Sequence, residues 1–416
     1  MLDIELLRDK TLFAEKGLAS RGVSPDKVQE ILKLDLKKRQ HLKEVEDLRS
    51  MRNKLAKSRD IAEGKKLKDK LAKKEEVLAE AEAKYRKLLL DLPNLPLPSV
   101  PVGDPSKGEV TKKTGEPRQY DFELKDHLDL GERLGLIDTS SGAKVSGARF
   151  SYLKNEAVFL ELALISYALE RLAPDNFTPV LPPALIRQEI TEKLGYWQAG
   201  GNENYYLVSD YEGTDSKPMY LIGTGEHAVV PIHEGDIIPA AELPRRYVAF
   251  SPCFRREAGS YGKDTRGIIR VHQFEKLEMV SFVRPEDGEK ELEKLINISW
   301  EMMKDLGLPI RQKILSTEDI SYPAAKTVDI ETWFPSQKTY RETHSISTTT
   351  DYQARRLNTR FIENGKTGFV HILNGTAFAM GRTLAAIIEN YQLKDGSIEV
   401  PKALRHYVGF DKISPN

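Results

Sequence analysis

Two short runs carry the densest chemistry in the chain. They are Phe254-Arg255-Arg256-Glu257 and, beyond a polar loop, Arg270-Val271-His272-Gln273-Phe274-Glu275-Lys276-Leu277-Glu278. They read as two antiparallel strands joined by a turn rich in glycine (Gly259, Gly262, Gly267). Such a hairpin would aim arginines, an aromatic ring and several carboxylates at one place. Guanidinium forks match phosphate, a ring face suits a nucleobase, and a carboxylate suits an ammonium or a hydroxyl. The set fits a nucleoside triphosphate.

The spacing F-R-x-E, loop, R-x-x-x-F-x-x-x-E resembles motif 2 of the class II aminoacyl-tRNA synthetases. The text from Glu257 to Met279 resembles the seryl-tRNA synthetases in particular. Other segments match that family in order. Asn176-Phe177-Thr178-Pro179-Val180-Leu181-Pro182-Pro183 resembles motif 1, which implies a homodimer built on this strand, with Asn176 where glycine is common. Leu373–Arg382, leading into a helix over Thr383–Gln392, resembles motif 3: a strand, a glycine-lined turn and an arginine at a helix start.

The resemblance implies roles residue by residue. Arg255, Arg270 and Arg382 would be the catalytic cations, Arg255 on the α-phosphate and the other two on the outer phosphates. ATP would be held by these three with Arg256, Glu257, Val271 and Phe274, the ring stacking on adenine and Glu257 orienting the base. Glu342-Thr343-His344-Ser345 would complete the ATP site, with Glu342 and Ser345 holding Mg2+ through oxygen ligands suited to a hard cation. Serine would be bound by Thr224, Glu226, Arg255, Glu278 and Thr376, the first pair of carboxyl and hydroxyl facing its ammonium, Glu278 and Thr376 its side-chain hydroxyl. A site that hydrogen-bonds a hydroxyl rejects analogues lacking it. Two departures from the family text stand out. Gly225 replaces the alanine of Thr-Ala-Glu and is expected to loosen the turn; His344, Ile346 and Thr348 replace the small polar residues and cysteine after Glu342.

The elements that must position these residues fall into two parts. A chain of 416 residues, 40% hydrophobic and 30% charged, is long enough for two domains. Residues 1–97 read as helical, and Lys33–Leu90 holds no proline and a single glycine, Gly64. Leu67, Leu71, Lys74, Leu78, Ala81, Tyr85, Leu88 and Leu92 alternate by four and three, a heptad seam answered by Val45, Leu48, Leu55 and Ala62. The expectation is an antiparallel coiled-coil hairpin over about 30–91, turning at Gly64 and projecting on the order of 40 Å. The net charge is zero, yet Arg49–Lys74 carries eleven Lys/Arg against three Asp/Glu. A basic projection on an acidic body can hold a polyanion, here through Arg49, Arg52, Lys54, Lys57, Arg59, Lys65, Lys66 and Lys68. The resemblance makes that polyanion tRNA(Ser), and allows tRNA(Sec).

A proline-rich stretch marks a linker, 98–120, and the remainder, 121–416, reads as the catalytic domain. Strand-like runs with helices clustered outside them give an α+β class: a helical arm followed by an antiparallel sheet flanked by helices. The lone cysteine, Cys253, excludes an internal disulfide and a multi-cysteine zinc site. No apolar run approaches ~18 residues and the N-terminus lacks a signal-peptide pattern, so a cytoplasmic, non-membrane protein is expected. The reaction implied is ATP-dependent activation of L-serine followed by transfer to tRNA. A non-catalytic paralogue serving as an RNA-binding protein is the alternative, and its mark would be lost motif residues.

Overall fold

The computed structural model describes residues 1–9, 12–58, 61–197, 203–208, 218–258 and 266–415, with the side chains of 56–58 and 61–63 outside that description. Two compact units divide at Leu95/Pro96. The first unit is helical. Helices α1 (Pro25–Ser58) and α2 (Ile61–Leu90) pack along each other. Their seam buries Val45, Leu48, Leu71 and Leu78, with Leu42 and Leu67 half-buried beside them. Tyr85 continues it under the Lys38 ammonium, 4.5 Å from the ring centroid, and Leu89 rather than Leu88 is buried. Gly64 is not the turn. It lies inside α2, which already begins at Ile61.

At the base of this hairpin a buried acid fixes the N-terminal helix. Asp35 accepts from Arg8 at 2.7 and 2.9 Å and from Arg39 at 3.1 Å. Two guanidiniums hold its carboxyl below the usual carboxylate range against the opposing cost of burial.

The second unit is built on an eight-stranded sheet. Its strands are β1 (Glu109–Thr114), β2 (Phe177–Val180), β3 (Arg245–Phe254), β4 (Gln273–Val283), β5 (Ile310–Ile314), β6 (Lys326–Phe334), β7 (Thr339–Thr348) and β8 (His371–Ala379). The spatial order is β1-β5-β6-β7-β8-β4-β3-β2. All neighbours are antiparallel except β2, which runs parallel to β3 at the edge. The segment expected as a linker therefore supplies β1, which pairs with β5, and belongs to this unit.

Helices α3 (Glu156–Leu172), α4 (Gly288–Asp305) and α5 (Met380–Asn390) lay their apolar stripes on the sheet. Leu160, Leu164, Trp300, Met303, Leu384 and Ile387 meet Leu277, Met279, Phe334 and Phe378 in one core. A buried ion pair pins α4 to the sheet. Arg246 on β3 donates two 2.6 Å bonds to Glu291, whose carboxylate also accepts from Ser281 on β4.

Asn176, just before β2, sits at φ 59°, ψ 38°. That left-handed conformation is tolerated by glycine and asparagine, which explains why one can stand for the other there. Leu181 beyond β2 is 81% exposed, and α3 presents Val158, Phe159 and Leu162 to solvent.

Candidate functional site

The period of two along β4 puts Phe274, Lys276 and Glu278 on one face while Leu277 and Met279 enter the core. That face floors a cavity of about 690 Å3. Register then adds the other strands: Glu278 lies opposite Thr376 on β8, next to a bulge. Thr376 Oγ1 donates to Glu278 Oε2 at 3.3 Å. Thr224, Glu226, Arg255, Glu257, Arg270, Val271, Glu342, Thr343, Ser345 and Arg382 complete the wall.

The structure thus brings together thirteen of the fifteen residues expected at the site. Arg256 and His344 do not line the cavity. The Arg256 amide donates to Asn204 O, tying the end of the hairpin strand to a neighbouring segment. His344, on β7, is fully buried, and its Nδ1 bonds Thr343 Oγ1 at 2.9 Å and its Nε2 bonds Ala377 O at 3.0 Å. Burial brings its pKa down to about 4, so the ring is neutral. Backbone pairing between β7 and β8 runs only from Ile346↔Gly375 to Thr348↔Leu373. The His344 side chain bridges the two strands just past that point.

Three pairs of opposite charge face the cavity. Arg270 Nε lies 2.5 Å from Glu257, Arg382 Nη1 lies 3.0 Å from Glu342, and Lys276 Nζ lies 2.6 Å from Glu278. Glu257 reaches Arg270 from a left-handed backbone, φ 49°. Arg255 sits between the two ends of the cavity. Its Nε donates to Gly223 O at 3.0 Å, beside Thr224, and its guanidinium lies 5.3 Å from the Phe274 ring centroid.

Three buried polar atoms of the lining have no hydrogen-bond partner among the described residues: Thr224 Oγ1, Asp329 Oδ1 and Asn374 Nδ2. Such orphans are costly unless a ligand satisfies them. Asp329 stands opposite Ser345 in the β6–β7 register and takes a hydrogen bond from it. Burial, then Glu342, pushes the Asp329 carboxyl well above the usual range. Glu342, Ser345 and the neighbouring Asp329 are all-oxygen donors, a set that fits a hard divalent cation.

Several of these residues gave no sequence signal of their own. His227 packs between Tyr196 and Tyr205, ring centroids 5.0 and 5.3 Å away, and its Nδ1 accepts from Gly223 N at 3.3 Å. Burial, then the nearby Arg255 and Lys276, lowers its pKa to about 3, so a neutral ring holds the amide of Gly223, the residue whose carbonyl holds Arg255. The Tyr196 hydroxyl donates to Glu226. Gly225 is closely packed: a Cβ there would lie 3.0 Å from Ala249 Cβ, 3.3 Å from Ser251 Oγ and 3.4 Å from Glu278 Cβ. The tightest neighbour is Ala249, with Ser251 next. Cys253 beside it is buried, and burial raises its thiol pKa.

On the helical unit, Arg52, Lys54, Lys65, Lys66 and Lys68 are exposed and carry no ion pair among the described residues. Arg49 is exposed but pairs with Glu75 at 2.8 Å, as Lys74 does with Glu44 at 2.6 Å. The Lys57 side chain and Arg59 lie outside the described residues.

A sheet of this order, with that hairpin and arginine-headed helix around one cavity, has the parts of a class II aminoacyl-tRNA synthetase core. The family model described as the tRNA synthetase class II core domain (G, H, P, S and T) matches residues 206–391. The seryl-tRNA synthetase N-terminal domain model matches residues 1–96. The serine–tRNA ligase of Thermodesulfovibrio yellowstonii is 42% identical, with 99% of this chain and 100% of the relative covered. Among solved structures, the seryl-tRNA synthetase of Pyrococcus horikoshii complexed with ATP superposes with a TM-score of 0.91 at 39% identity, both chains fully covered. The cytoplasmic serine–tRNA ligase of Naegleria fowleri in complex with AMP gives 0.90 at 30% identity, covering 100% of this chain and 99% of that one. The chain belongs to the seryl-tRNA synthetase family.

The Glu226 carboxyl is raised to about 7, first by burial and then by Glu278. A carboxyl is half ionised at its pKa, so any ligand ammonium that Glu226 held would gain affinity as pH rises through about 7 and lose it as pH falls through that value. The acidic limb of kcat/KM for the amino acid should therefore lie well above the ordinary carboxylate range, and Glu226→Gln should abolish that limb along with most activity.

Proposed function

We propose that this chain condenses L-serine with ATP to form seryl-adenylate and pyrophosphate, and then passes the seryl group to the 3′-terminal ribose hydroxyl of tRNA(Ser). The observation that carries the proposal is the continuity of one cavity between two chemistries. An acid- and hydroxyl-lined end holds Thr224, Glu226, Glu278 and Thr376; an arginine and aromatic end holds Phe274, Arg270 and Arg382. Arg255, anchored to Gly223 and lying over Phe274, stands at the junction, where an amino acid carboxylate would meet an α-phosphate.

The serine carboxylate oxygen attacks the α-phosphorus, the bond to the bridging oxygen breaks, and pyrophosphate leaves with that electron pair. No side chain acts as a nucleophile. The protein supplies position and charge neutralisation, with Arg255 on the charge developing at the α-phosphate and Arg270 and Arg382 on the outer phosphates. Magnesium bound by Glu342 and Ser345 would neutralise phosphate charge. Glu342, Ser345 and Asp329 would offer it oxygens, Asp329 standing opposite Ser345 in the β6–β7 register. In the second step the ribose hydroxyl attacks the seryl carbonyl and AMP leaves.

Serine-dependent exchange of pyrophosphate into ATP, without tRNA, tests the first step. Serine should support it, and threonine, alanine and glycine should not; Arg255→Ala should lower kcat on the order of 10²-fold. No exchange with any of these amino acids, in folded protein with magnesium, would favour the non-catalytic RNA-binding alternative.

The exposed lysines and arginines of the helical hairpin support tRNA contact by shape and backbone charge. Removing residues 45–75 should leave exchange intact and abolish tRNA charging. Normal charging by the shortened protein would show that the arm does not bind the substrate.

The exposed Val158, Phe159, Leu162 and Leu181 support a homodimer through this edge of the sheet. Leu162→Asp should shift the sedimentation coefficient from dimer to monomer. An unchanged coefficient would place the interface elsewhere. A cytoplasmic setting agrees with the cysteine usage, and no described helix is long and apolar enough to cross a membrane.

A further inference from the structure

Lys276 takes no part in the chemistry above, yet it is an ammonium held inside the amino acid end of the cavity. Its side chain is 8% exposed and its Nζ lies 2.6 Å from Glu278 Oε2, which itself is 2% exposed. The same oxygen accepts from Thr376 Oγ1. Glu278 Oε2 is thus committed to the protein, and the other oxygen remains for a ligand. Glu226 is the second buried carboxylate of this end, with Tyr196 as its donor.

The balance of charge follows. With Arg255 assigned to the ligand carboxylate, the two carboxylates face one ammonium, Lys276, and leave a single negative charge, enough for one ligand ammonium. Without Lys276 there would be two, and the pocket would be matched to a ligand with two cationic groups. Both carboxylates are buried, at 5% and 2% exposure, so without Lys276 the pair would draw in a proton or a cation.

We propose that Lys276 is a specificity-determining residue: by neutralising Glu278 it makes that carboxylate an acceptor for a neutral hydroxyl rather than a counter-ion for a second ammonium. The inference rests on the serine-site reading above. It acts where shape cannot, because an amino acid with an ammonium in place of the serine hydroxyl, 2,3-diaminopropionate, has nearly the same size. Discrimination between the two falls to charge.

The test compares L-serine with L-2,3-diaminopropionate in ATP–pyrophosphate exchange, at a pH where the second amine is protonated, and by calorimetric binding to each variant. Lys276→Gln keeps chain length and a donor but removes the charge. It should shift the kcat/KM ratio toward the diamino acid by about a hundredfold. Lys276→Met removes the charge by an apolar route and should move the ratio the same way. Lys276→Arg keeps the charge and should preserve serine preference within several-fold. In the double variant with Glu278→Gln the excess negative charge is gone, and acceptance of the diamino acid should vanish. Serine activation with an unchanged ratio in both Lys276→Gln and Lys276→Met overturns the role of Lys276 alone. A wild-type protein that activates no serine overturns the site reading, and this inference with it.

Discussion

Side chains alternate along Gln273–Val283, and the catalytic unit is arranged around that alternation. One face of the strand must be apolar, because Leu277 and Met279 are fully buried against α4 and α5. The other face then carries Phe274, Lys276 and Glu278 at fixed spacing, and neighbouring strands answer each of them. Thr376 meets Glu278 by register, Arg255 returns over Phe274, and Gly225 packs closely against Ala249, Ser251 and Glu278. A slip of one residue in this strand would send the charged groups into the core and the core into the cavity. The sheet's order and the ligand site are therefore one constraint.

Much of this was legible in the sequence because it is local. The hairpin, the motif 3 turn and the heptad seam are carried by short spacings, and thirteen of fifteen nucleotide and amino acid candidates line one cavity. What escaped depends on contacts across the fold. Lys276 reads as an ordinary charged residue in a strand until its burial is known. His227 acts through a peptide four residues before it, sandwiched by tyrosines from a distant segment. His344 lies between the metal pair in sequence, but it alternates with its neighbours Thr343 and Ser345, and a bulge in the β6–β7 register between His344 and Glu342 breaks the period of two, so its ring points into the layer beneath.

The errors of position share a cause too. Gly64 was the natural turn by composition, but a glycine inside a helix costs only about 1 kcal/mol against alanine, which packing readily overrides. The proline-rich run after Leu92 ends the helix as composition suggests. Composition alone cannot show that the chain then gives β1 to the edge of the sheet, since edge pairing depends on a partner two hundred residues away. The Asn176 substitution is the converse case, a change in text that leaves backbone conformation untouched.

The arginine–carboxylate pairs at the wide end of the cavity have a thermodynamic corollary. Arg270 and Arg382 are each already neutralised by Glu257 and Glu342. Any polyanion that takes the two guanidiniums must leave two carboxylates behind, and whatever binds those carboxylates has its affinity raised by the same factor by which it raises that of the polyanion. The site is thus wired as a double exchange of counter-ions, in which anion and cation recruit each other.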